Sequence, residues 1–162
     1  MNVSEKLWVI WTIAFLGVAV VIYKRVWRVG LAIGIAFYAG AVIADELKDH
    51  IDRARPTPPD ALVLLNGYAM PSSHASFTMA MVVALLTSVT WTSRRTFILT
   101  AAGLGSFAVV IGVAMIYLGA HWATDVLAGW ALGAVIGAGV GAAFRPRTGQ
   151  SQASPASPRQ AR

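Results

Sequence analysis

Long apolar runs, each near the length that crosses a bilayer, decide what this chain can become. Five stand out: Leu7–Tyr23, Val29–Ala44, Ala75–Trp91, Thr96–Leu118 and Val126–Phe144. A helix needs roughly 20 apolar residues to cross the hydrocarbon core. The runs are continuously apolar, so they lack the alternation of a membrane β-barrel strand. Of 162 residues, 57% are hydrophobic and 12% charged. The charged share is about half that of an ordinary soluble domain. The sequence therefore predicts an all-α integral-membrane bundle of about five helices over residues 1–146. A disordered basic tail, 147–162, rich in Ser, Pro, Ala and Gln, follows it. The first run lacks a clear basic segment before it and has Lys24, Arg25 and Arg28 behind it. It is read as a retained span rather than a signal peptide.

The excess of 13 Lys and Arg over 7 Asp and Glu could suggest nucleic acid. Its distribution points to a membrane instead. With five spans, Lys24, Arg25, Arg28, Arg94, Arg95, Arg145, Arg147, Arg159 and Arg162 fall on one face. Lys6, Lys48, Arg53 and Arg55 fall on the other, with every acidic residue. The positive-inside rule makes the first face cytoplasmic. The expected topology is N-terminus outside and C-terminus inside, in the inner or plasma membrane. There are no cysteines, which removes disulfides, thiolate metal sites and cysteine nucleophiles.

The helix count also places three polar clusters together on the outer face. These are Lys48 through Arg55-Pro56, then Pro71-Ser72-Ser73-His74, then His121 with Asp125 four residues on. Pro56, Pro58 and Pro59 exclude a continuous helix through the long Asp45–Ser73 connection. Pro71 followed by Ser72 or Ser73 suits a helix start, Gly119 a helix break, and Thr124 or Asp125 a cap. Gly129, Gly133, Gly137 and Gly141 recur every fourth residue. Such a row lets another helix approach closely, within the bundle or, alternatively, as a homodimer seam.

The residue types suit phosphate chemistry. Lys48 and Arg55 can neutralise phosphate oxygens, the guanidinium through paired donors. Amides around Ser72 and Ser73 can bind further oxygens at a helix N-terminus. A neutral His121 can attack phosphorus if its other nitrogen donates to a carboxylate such as Asp125. His74 can protonate the leaving oxygen. Fixed cations do the work of a metal, so no metal or cofactor is expected.

These clusters resemble the signatures of the type 2 phosphatidic acid phosphatase superfamily, namely K-x6-R-P, P-S-G-H and S-R-x5-H-x3-D. Lys48 to Arg55-Pro56 fits the first, and Pro71-Ser72-Ser73-His74 fits the second with Ser73 in place of glycine. His121 and Asp125 fit the third. The family's Ser-Arg pair would fall at Ala114-Met115, where both polar groups are absent. The resemblance implies a membrane lipid phosphate phosphatase, working through a phosphohistidine on His121. Its substrate would be undecaprenyl diphosphate, phosphatidylglycerophosphate or phosphatidate. The departure at Ala114-Met115 supports an alternative: an impaired relative that binds a lipid phosphate or a protein partner.

Overall fold

The computed structural model of the chain describes residues 27–59 and 61–146. The expected first span, Leu7–Tyr23, and the basic tail at 147–162 lie outside these residues, as do Lys24, Arg25 and Asp60. Four helices form among the described residues: α1, Trp27–Ile51; α2, Ser73–Ser88; α3, Arg94–Tyr117; and α4, Ala123–Phe144. No strand occurs among the described residues. Helices α1, α3 and α4 are long and apolar enough to cross a membrane.

Helix α1 continues past Ala44, where the apolar run ends, to Ile51. Lys48 and Asp45 thus belong to its last two turns and not to the following connection, which corrects the boundary read from hydropathy. Apolar character measures contact with lipid, whereas Asp, Glu and Lys remain competent inside a helix. Lys48 and Asp45 pair across one turn at 2.7 Å. At 25 residues, α1 is about 37 Å long, enough to carry its polar end beyond a ~30 Å hydrocarbon layer. It stops at Asp52, whose positive φ of 53° leaves the helical region.

Helix α2 is shorter than the apolar run suggested. It ends at Ser88, and the Trp91 indole turns back to donate to Leu86 O at 2.9 Å. Its place in the bundle accounts for its composition. Ala75, Ser76, Ala80 and Ala84 are fully buried, because α2 lies between α1 and α4 and also touches α3. These small side chains meet the glycine row of α4. A Cβ on Gly129 would stand 2.6 Å from Ser72 O, and one on Gly133, Gly137 or Gly141 would strike Ser76 O, Ala80 O or Thr87. Gly40 of α1 is equally tight, with a Cβ placed 2.9 Å from Phe77 Cα. The glycine row is therefore filled by α2 of the same chain, which corrects the homodimer alternative at Gly129, Gly133, Gly137 and Gly141. In lipid, such close backbone approach takes the place of large interdigitating side chains.

Helix α3 packs least and turns Leu99, Phe107, Val110 and Val113 outward, as a lipid-facing helix would. Gly119 follows its C-cap at φ 66°, a conformation glycine adopts without penalty. Leu118 N, Gly119 N and Ala120 N fold back onto Ala114 O, Ile116 O and Met115 O at 2.9–3.0 Å. This tight stop sets His121 between α3 and α4. At the opposite end of the bundle, Trp27, Arg28 and Arg145 border a common recess.

Candidate active site

The three polar clusters meet at one end. Lys48 Nζ, on the last turn of α1, donates to Ser73 Oγ at the start of α2, and Ser73 Oγ donates to Asp45 Oδ1 at 2.6 Å. Ser72 N donates to Asp125 O at 3.0 Å, joining the start of α2 to the first turn of α4. Arg55 Nη1 lies 2.8 Å from Ala120 O and 3.4 Å from His121 Nε2, while its Nε donates to Gly67 O at 3.1 Å. Each contact joins segments far apart in sequence, so the convergence is a product of the fold.

His121 is 4% exposed. Its Nδ1 lies 2.8 Å from Ala69 O. A carbonyl can only accept, so Nδ1 carries the proton and Nε2 presents a lone pair toward Arg55. Burial, then the Arg55 guanidinium, pushes the imidazole from its ordinary 6.5 to about 4, against the opposing pull of Ala69 O and Asp125. His121 is thus neutral near pH 7, with a nucleophilic nitrogen beside a fixed cation. Burial likewise lowers Arg55, partly offset by Asp125, without threatening its charge.

Asp125 stands where its i,i+4 spacing puts it, but its bonding differs from the expected donation by His121. His121 Nδ1 is 3.7 Å from Asp125 Oδ2, and the hydrogen bond goes to Ala69 O instead. Asp125 Oδ2 accepts from Trp122 N at 2.8 Å, a one-way side-chain cap on the start of α4. Its Oδ1 pairs with Arg53 Nη1 at 2.9 Å. Arg53 Nη1 also donates to Thr124 Oγ1, and its guanidinium lies 5.9 Å from the Trp122 ring centre. The Trp122 indole donates to Ala54 O at 3.0 Å, so the whole Arg53–Arg55 strip is tied to the start of α4.

The expectation that Ser72 binds phosphate is corrected, because its amide already donates to Asp125 O. Ser72 is fully buried and its Oγ caps α2 by accepting from Ala75 N at 3.5 Å. The amides of Ser73 and His74 remain as first-turn donors, pointing where an oxyanion is favoured. The Ser73 hydroxyl instead positions Lys48. His74 is exposed on the first turn of α2, with its ring 5.3 Å from Phe77. No group of acids, histidines or cysteines suited to a metal occurs among the described residues.

Three contacts escaped the sequence reading of the clusters: Ala69 O with His121, Asp45 with Ser73, and Arg53 with Asp125. The Ala69 carbonyl leaves no side-chain signature. Asp45 reads in sequence as a loop acid that could pair with Lys48, and its contact with Ser73 Oγ is not visible there. Arg53 does carry a signal: it stands two residues before Arg55, so an extended chain directs both toward one side. Met115, where the third signature has arginine, is half-buried on the last turn of α3, and its carbonyl accepts from His121 N at 3.3 Å.

An all-helical membrane bundle with a cation-flanked histidine at one end defines a class, and comparison with known proteins specifies it. Residues 25–148 match the PAP2 superfamily, and the chain belongs to that family. It is similar to phosphatidylglycerophosphatase B of Bacillus subtilis, at 30% identity over 129 residues, 76% of this chain and 62% of that protein. It is also similar to undecaprenyl-diphosphatase of Sulfolobus acidocaldarius, at 31% identity over 121 residues, 71% of this chain and 55% of that protein. The chain thus spans little more than half the length of these relatives. Among solved structures it resembles a transmembrane PAP2 type phosphatidylglycerolphosphate phosphatase from Bacillus subtilis. There the TM-score is 0.68 and the identity 25%, covering 82% of this chain and 67% of that one. The protein is a multi-pass membrane member of a phosphatase family.

Proposed function

We propose that this chain is a lipid phosphate phosphatase whose nucleophile is His121. The observation that carries the reading is the buried, neutral imidazole with Nε2 3.4 Å from Arg55. In the proposed cycle the phosphoryl group lies between Arg55, Lys48 and the amides of Ser73 and His74. Nε2 of His121 attacks phosphorus, and the bond from phosphorus to the lipid oxygen breaks. His74 delivers a proton to that oxygen. For a diphosphate lipid the attacked phosphorus is the terminal one, the leaving oxygen is the bridging one, and a lipid monophosphate departs. Water, giving a proton back to His74, then cleaves the phosphorus–nitrogen bond and releases inorganic phosphate. Asp125 supports this arrangement through Trp122 N and Arg53. The steps require only residues of this chain and water.

The substrate is a phosphomonoester or diphosphate lipid: undecaprenyl diphosphate, phosphatidylglycerophosphate or phosphatidate. The first two are the compounds that the relatives' names point to. The reading includes a fifth span before α1, the N-terminus outside, the C-terminus inside, and the site on the outer face of the inner or plasma membrane. The test is release of inorganic phosphate from each lipid by purified protein. Wild type turns over and His121→Ala loses at least 10³-fold, while phosphate on a histidine is trapped at short times. Equal release by wild type and His121→Ala overturns the reading.

Met115 favours one second reading, a catalytically impaired lipid-phosphate binder. An absent bidentate contact would cost about 10²-fold in rate. Restoring the pair with Ala114→Ser and Met115→Arg separates the two. Wild-type activity that is already high and unchanged by the restoration favours the enzyme. A near-zero baseline that rises steeply favours the binder.

A further inference from the structure

One segment near His121 takes no part in phosphoryl transfer. The segment Ala61-Leu62-Val63-Leu64-Leu65 is apolar, yet it belongs to no helix. Leu62 is 66% exposed, Leu64 78% and Leu65 50%. The segment is anchored, since Leu62 N and Val63 N both donate to Leu118 O, at 3.0 and 3.3 Å. Leu118 is the C-cap of α3, three residues before His121. Farther along the same connection, Gly67 O receives Arg55 and Ala69 O receives His121. The leucines are therefore displayed beside the site on a backbone that the site itself holds.

Their surroundings indicate what covers them. The segment is fixed to the end of α3, which exposes Val109, Val110, Val113 and Ile116 as a lipid-facing stripe. At this end Tyr117 is 76% exposed, and Tyr68 and Trp122 are 40% exposed. Aromatic side chains with a polar tip gather at the headgroup level of a bilayer. The leucines continue an apolar surface from α3 through this aromatic level. We propose that residues 61–65 insert into the lipid leaflet at the mouth of the site. There they pack against lipid chains and hold the headgroup of a membrane-resident phosphate toward His121. The insertion itself is independent of catalysis; its kinetic consequence rests on the phosphatase reading.

The absence of cysteine makes the test direct. Leu64→Cys introduces a unique thiol for an environment-sensitive fluorophore, and Thr57→Cys, exposed on the same connection, serves as control. In phosphatidylglycerol–phosphatidylcholine vesicles, the probe at 64 emits to the blue of the probe at 57. Brominated lipid quenches it at least twofold more, and aqueous iodide less. Equal iodide quenching at both sites overturns the proposal, including the case in which a protein partner covers the leucines in cells. In the kinetic arm, Leu64→Asp raises KM for a long-chain lipid phosphate in vesicles about fivefold or more. It leaves kcat/KM for a soluble short-chain phosphate ester unchanged. Equal losses on both substrates overturn the substrate-holding role. If wild type releases no phosphate from any lipid, the phosphatase reading fails, and the quenching result still decides insertion.

Discussion

Asp125 is completely enclosed, and the groups that face it are Trp122 N, Arg53 and, farther off, His121 and Arg55. A carboxylate in that position is stable only while its partners remain. Arg53→Gln should therefore destabilise the protein by about 1–3 kcal/mol, the partial exposure of Arg53 limiting the loss. Lys48→Gln should change stability by less than about 1 kcal/mol, because its acidic partner Asp45 is largely solvated. Thermal unfolding in detergent compares them, and an equal effect would show that Arg53 is not the partner that matters. The imidazole of His121 gives a second expectation. Between its ordinary 6.5 and about 4, an unfolded chain binds a proton that the native site refuses. The stability contributed by this group is present above pH 6.5 and drains away as pH falls toward 4. Nitrogen-15 NMR of the histidines should show His121 neutral at pH 5.5. Arg55→Gln should raise its titration point by removing a repelling cation. A His121 signal titrating near 6.5 in the wild type would contradict the buried, cation-flanked arrangement.

At the scale of elements, the α2–α4 contact is where the bundle is least forgiving. Gly133→Val drives a branched side chain into Ser76 O, and Gly139 on the same helix has open space around its Cβ position. The first change should cost about 1–3 kcal/mol or prevent assembly, and Gly139→Ala should be tolerated. Retention of folded protein after heating in detergent measures both. The repeat of glycines was visible in sequence, because a four-residue period stays on one helix face. Its partner also carries a signal that the sequence reading did not use: Ser72, Ser76, Ala80, Ala84 and Ser88 repeat every fourth residue, and all five are fully buried. Element ends were legible where backbone chemistry decides them, as at Pro71-Ser72 and Gly119. They were poorly legible where hydropathy alone was available. Lys48 and Asp45 looked like loop residues because they are polar, although polar residues finish a helix that protrudes from lipid.

For the whole molecule, the alternation of spans was enough to bring Lys48, Ser73, Arg55 and His121 to one end, because each crossing reverses the face. Which atoms then touch depends on tight folds of the connections: Ala69 O against His121, Leu118 O beneath residues 62–63, Ala54 O on Trp122. Backbone acceptors are common to all residues, so no residue type records them. The proposed orientation rests on a further asymmetry, with Arg28, Arg94, Arg95 and Arg145 at the end away from His121. It can be tested without any assay of activity, since the chain has no cysteine of its own. Thr57→Cys and Ser93→Cys place single thiols at opposite ends. Ser93 caps α3 through Arg95 N, so serine should be restored there as a stability control. In intact cells a membrane-impermeant maleimide should label position 57 at least tenfold faster than position 93, and permeabilisation should make the rates comparable. The reverse preference would turn the histidine site toward the cytoplasm and leave the bundle, and the chemistry within it, otherwise intact.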